Sequence, residues 1–267
     1  MGEEDKVPEG VAGAGPRPSG EPPVTPSPWG LWDLGLFLAF GFFALLVAKF
    51  VTIFAYAALR PIAGWRVRPQ DLDTNAFALV AAQSLWYVFL LGYIYVLAVV
   101  KYGLGFWTAL GWRPPTGRQV LQLMLGGILL GVLIAHAPTL LPDRDTFPLE
   151  ELFSSPAAAY AVAVFAIFVA PLMEELIFRG VLFAFFERLV GLRFAIAATA
   201  LLFAGLHLPE YWRAWNHALL ILVVAVVLSL ARGLTGSLAP SVILHLTYNA
   251  TFMVALFFTS QHFHSIH

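Results

Sequence analysis

The feature that most constrains this chain is the recurrence of apolar runs about as long as a bilayer is thick. A helix needs about 20 apolar residues to cross the hydrocarbon core. Runs of that order stand at Leu31–Leu59, Asn75–Val100, Gln119–His136, Pro156–Arg179 with its apolar continuation, Phe194–His207, Trp215–Leu230 and Ser237–Thr259. They are too long for strands and lack the period-two alternation of a membrane barrel. The fold class is therefore all-α, a polytopic membrane helical bundle of about seven transmembrane helices. Composition agrees: 60% of the 267 residues are hydrophobic and 12% are charged, whereas soluble domains carry roughly a quarter charged residues. Trp29, Trp32, Trp107, Trp112, Trp212 and Trp215 fall at or near the ends of runs, where an interfacial belt belongs.

The chain divides by composition. Residues 1–30 are rich in Gly and Pro and show no apolar periodicity, which reads as a disordered tail. The stretch is acidic where a signal peptide would be basic, so the first span reads as a retained signal anchor. Residues 31–150 hold the N-terminal transmembrane helices. Residues 151–260 hold a helical core with unusual polar residues, and 261–267 form a histidine-containing tail given no function. A net charge of −1 argues against binding nucleic acid, and the absence of cysteine excludes disulfides and thiolate chemistry. With alternating helices, the Lys and Arg bias favours a cytoplasmic N-terminus, and in a bacterium the inner membrane. No internal repeat suggests a transporter of two related halves.

The sharpest signal is the stretch from Pro171 to Gly180, which holds Glu174, Glu175 and Arg179. An ionised group at the centre of a span costs roughly 2.5–3.5 kcal/mol on insertion scales, so three of them need a reason. Glu175 and Arg179 are spaced to share a helix face and pair. Glu174 points about 100° away and is left to face a polar cavity. A salt-bridge cluster at a helix end would use the same residues. Pro171 predicts a kink or break in this helix, and the short span ending at His207 belongs beside a cavity rather than in lipid. Phe203 and His207 share one helix face, as do His245 and Asn249. In hydrocarbon each polar group needs a partner, and bringing Glu174, His207, His245 and Asn249 together satisfies all of them. A carboxylate, two imidazoles and an amide in a dry cavity are suited to acid–base chemistry with oxyanion stabilisation.

The Glu-Glu-x-x-x-Arg, Phe-x-x-x-His and His-x-x-x-Asn series, on successive helices, resembles the CPBP family of CAAX proteases and bacteriocin-processing enzymes, also called Abi. Its members include intramembrane endopeptidases of the type II CAAX prenyl protease kind. The resemblance covers roughly residues 150–260, and no motif residue departs from the pattern; the N-terminal half matches only as generic hydrophobic helices. It implies a catalytic core in which Glu174 activates water, His207 helps to hold that water, and His245 with Asn249 forms the oxyanion hole. Glu175 and Arg179 would order the site, and Phe203 would pack beneath it. The implied partner is a peptide or membrane-tethered protein within the lipid bilayer.

Zinc is the mechanistic alternative, with Glu174, His207 and His245 as its ligands. The His-Glu-x-x-His pair of other zinc peptidases is absent, and Asn249 suits an oxyanion hole better than a zinc site. The metal-independent glutamate mechanism, with no cofactor, is therefore preferred. A serine rhomboid would need a Gly-x-Ser-Gly segment, and an aspartyl intramembrane protease two intramembrane aspartates; the sequence supplies neither. The rivals outside peptidases are a non-catalytic immunity or scaffold protein of the same fold, and a proton-relay transporter.

Overall fold

A computed structural model describes residues 29–64, 67–137, 155–209 and 215–259. The Gly/Pro-rich segment through residue 28, the loop holding Trp212, and the 261–267 tail lie outside the described residues. The described residues form helices and no strands. Among the described residues six helices are long and apolar enough to cross a membrane: α1 (Leu31–Ala63), α2 (Ala76–Lys101), α4 (Gly117–His136), α5 (Pro156–Val190), α7 (Trp215–Thr235) and α8 (Leu238–Thr259). Helix α6 (Leu192–His207) is shorter, and α3 (Phe106–Ala109) is a single turn. The protein is thus a multi-pass helical bundle.

Local chemistry sets several of the helix starts. Asn75 accepts the Ala78 amide at 3.1 Å to cap α2, and Ser155 accepts that of Ala158 at 3.2 Å ahead of Pro156 in α5. Thr116 and Gln119 form a reciprocal capping box at the start of α4. Each device satisfies amides that a helix N-terminus otherwise leaves without partners.

Helix α5 lies at the centre and packs against α2, α6 and α8; α8 also contacts α4 and α7. The α5–α6 hairpin turns at Gly191, whose φ of 93° is a backbone angle that L side chains rarely adopt. The tightest interhelical seam joins α4 to α8. A Cβ on Gly127 would stand 2.7 Å from the Thr247 Cβ and 2.9 Å from the Leu244 carbonyl oxygen, and one on Gly131 would stand 2.8 Å from the Thr251 Cβ. Two glycines four apart let the backbones approach closely, and van der Waals contact drives such pairing in lipid.

At the other flank, Lys101 and Tyr102 both donate to Asp33, which also accepts the Gly30 amide at 2.8 Å. This ties the start of α1 to the end of α2. Donating to the carboxylate favours the neutral phenol, so the Tyr102 pKa is raised above its usual value. Trp29, expected in an interfacial belt, is instead buried against Tyr102 and Phe185, whereas Trp32, Trp107 and Trp215 are exposed as a belt requires.

The interruption that Pro171 predicts takes a particular form. Helix α5 runs on without a break, but two stretches of it are π-helical, Phe165–Val169 and Leu176–Leu182. They bracket the short α-helical stretch Ala170–Glu175 that carries both glutamates. Widened turns of this kind are rare, cluster at functional sites, and are a recognised cause of helix kinks.

Candidate active site

Glu174 and Glu175 are adjacent on α5 and have opposite surroundings. The Glu175 side chain is fully buried, and its Oε1 accepts from Arg179 Nη1 at 2.9 Å. Arg179, also fully buried, reaches across to α7, donating to the Ala225 carbonyl at 3.0 Å and to Ser229 Oγ at 3.4 Å. Ser229 in turn lies 3.2 Å from Thr199 Oγ1 on α6. A buried pair persists only where such further bonds offset its desolvation. Glu174 keeps 16% of its side chain exposed.

His245, on α8, stands between the two carboxylates. Its Nδ1 is 3.0 Å from Glu175 Oε1, and its Nε2 is 3.7 Å from Glu174 Oε2. Phe203 packs beneath three of these groups. The Arg179 guanidinium lies 4.7 Å from the ring centre, the His207 ring stacks at 4.6 Å, and His245 meets the ring edge-to-face at 5.9 Å. His207 Nδ1 lies 2.8 Å from the Phe203 carbonyl oxygen, so the ring is tethered to its own helix. Asn249 Nδ2 donates to the Ala166 carbonyl at 2.7 Å, inside the first π-helical stretch. An amide carries a second N–H.

Helix α6 is short in a telling place. Glu174 and His207 lie about fifteen residues to either side of the Gly191 turn, roughly 23 Å along each helix at 1.5 Å per residue. Helix α6 therefore stops at about the depth of the glutamates.

The seven residues singled out from the sequence thus occupy one neighbourhood on α5, α6 and α8. Glu175 contacts Arg179 and His245, Phe203 contacts Arg179, His245 and His207, Glu174 stands 3.7 Å from His245, and Asn249 lies one turn beyond His245 on α8. The three zinc candidates are not drawn together: among the described residues no three His, Asp or Glu side chains converge as a metal-ligand group. Sequence reasoning missed Thr199, Ser229 and Arg232. Thr199 stands four residues before Phe203 on the same face of α6, so following that face back by one turn would have found it, whereas no polar residue one turn before it on α7 marks Ser229.

Residues 156–251, a little over a third of the chain, match the family model described as type II CAAX prenyl endopeptidase Rce1-like. The matched segment is similar to the CAAX proteases over that stretch. All seven residues lie within the matched stretch. No curated protein and no solved structure shows a significant match to the chain.

Proposed function

We propose that the protein is an intramembrane endopeptidase that hydrolyses peptide bonds near the membrane surface by glutamate-activated attack of water. The observation that carries this reading is the His245 ring poised between one paired, buried glutamate and one that is partly exposed. Glu174 is the general base, taking a proton as the water oxygen adds to the scissile carbonyl. The negative charge that develops on that carbonyl oxygen is met by the free N–H of Asn249 and by His245. When the C–N bond breaks, Glu174 returns its proton to the departing amine, and the site is restored.

The distances support a closer reading of the part of His245. An ionised carboxylate only accepts hydrogen bonds, so the Nδ1 proton of His245 is directed at Glu175. Nε2 donates to the oxyanion only as the second N–H of an imidazolium, a charge that the two flanking carboxylates stabilise. Glu175 and Arg179 thus order the site, and Phe203 is the floor on which Arg179, His207 and His245 rest. His207, at the end of α6, helps to hold the water.

The matched family is described by its action on prenyl substrates, and on that likeness the substrate class is a lipid-modified or otherwise membrane-tethered peptide. The test is cleavage of a membrane-tethered peptide library by purified, detergent-solubilised protein, with Glu174→Gln in parallel and each arm repeated with a zinc chelator. Cleavage that disappears in Glu174→Gln and survives chelation supports the glutamate mechanism. Cleavage abolished by chelation and restored by zinc overturns it in favour of a metal-dependent peptidase.

A further inference from the structure

Arg232 has no part in the chemistry above, yet it is placed as though it had. It sits on α7 with 4% of its surface exposed, and the Glu187 carboxylate of α5 acts on it electrostatically. A guanidinium keeps its charge at any ordinary pH, so its burial is costly unless further contacts offset the desolvation. Those it makes are specific. Its Nε donates to the Arg179 carbonyl at 3.0 Å, and its guanidinium lies 5.2 Å from the Phe183 ring centre. It also presses on Gly111, where an added Cβ would stand 2.8 Å from Nη2. The neighbouring Leu110 closes on the same turn, with Cδ2 2.9 Å from where a Cβ on Gly180 would be.

These contacts converge on the second π-helical stretch, Leu176–Leu182. A π turn holds one more residue than an α turn between hydrogen-bonded groups. Relaxing it to α geometry shifts the helix register by one residue, and the residues on either side rotate relative to each other. Glu175 stands just before this stretch and Arg179 within it, so the register decides how the pair meets. The first stretch is held in the same way, by Asn249 on the Ala166 carbonyl.

We propose that Arg232 is a positioning residue, whose Nε–H holds the Arg179 carbonyl and thereby keeps the π turn that aims Glu174 and Glu175 at His245. The kinetic consequence rests on the peptidase reading above; the structural consequence does not.

The geometry supplies a discriminating set of substitutions. The Nε2 of glutamine occupies the place in the side chain that Nε occupies in arginine. Methionine puts a methyl group there, and lysine a methylene while keeping the charge. Arg232→Gln, Arg232→Lys and Arg232→Met would be compared by peptide cleavage and by hydrogen exchange of the amides in residues 176–186. Arg232→Gln is expected to stay close to the unsubstituted protein. Arg232→Lys and Arg232→Met are expected to lose about 10²-fold in kcat at unchanged KM, the scale of a misplacement of about 1 Å, with faster exchange across the π stretch. Arg232→Lys active beside an inactive Arg232→Gln would overturn the proposal in favour of a role for charge, and equal effects in all three would overturn it in favour of general packing. Exchange reads the hydrogen bond even if no tested peptide is cut, so a failure of the peptidase reading stays separable from a failure of this one.

Discussion

Arg179→Met tests the electrostatic heart of the site, because the structure specifies every interaction that is lost. The guanidinium gives up its 2.9 Å contact with Glu175, its 3.0 Å bond to the Ala225 carbonyl, its 3.4 Å bond to Ser229 and its place 4.7 Å from the Phe203 ring centre. Methionine replaces much of the volume, so the main cost is Glu175, left fully buried with His245 as its ionisable partner. Breaking one side of a buried pair costs about 3–5 kcal/mol. Glu175→Gln strands the arginine instead, while the double variant buries neither charge. The double variant should therefore be more stable than the sum of the single losses implies, with a coupling of about 2–3 kcal/mol. Unfolding by added SDS in mixed micelles, followed by the fluorescence of the eight tryptophans, would measure all four corners of the cycle. Losses that add within about 0.5 kcal/mol, or a loss below about 1 kcal/mol for Arg179→Met alone, would refute the reasoning.

Further expectations follow from other parts of the fold. Asn249→Ala removes an oxyanion donor and should slow peptide cleavage by about 10²–10³-fold; it also frees the Ala166 carbonyl, so hydrogen exchange should quicken in residues 165–171. Gly127→Ala forces a Cβ to 2.9 Å from the Leu244 carbonyl oxygen and should destabilise the protein by about 1–3 kcal/mol in the same SDS titration. Gly92→Ala, with nothing within 4 Å of its Cβ, should be neutral or stabilise α2 by up to about 1 kcal/mol in that titration. Asp33→Ala should cost about 1–3 kcal/mol through its lost bonds to Lys101, Tyr102 and Gly30, read as a lower melting temperature at unchanged kcat.

Much of this arrangement is legible in the sequence because a bilayer tolerates few alternatives. Apolar runs mark the spans, and the Glu175–Arg179 spacing foretells their pairing, because helices spanning lipid satisfy their backbone internally and polar side chains must find one another. What hydropathy does not carry is hydrogen-bond register. Nothing in the residues Leu176–Leu182 distinguishes a π turn from an α turn; the choice is made by Arg232, which arrives from another helix. Arg232 itself reads as a loop cation, three residues from the end of its helix, because sequence position does not tell a solvated charge from a buried one. The burial of Trp29 escapes for a similar reason: composition assigns it to the Gly/Pro-rich tail, whereas aromatic packing on Tyr102 and Phe185 decides where it goes.

The seam between α4 and α8 bears on where the working unit begins. Family resemblance opens at residue 156, yet His245 and Asn249 project from a helix whose opposite flank, Thr247 and Thr251, is seated on Gly127 and Gly131 of α4. The Leu110–Gly111 corner, from the same unmatched half, braces Gly180 and Arg232 and accepts the first amide of α8 at 3.0 Å. Two of the proposed oxyanion donors thus take their bearing from residues that likeness does not cover. Grafting the matched segment alone onto another scaffold would carry over the reactive groups without the keel that steers them.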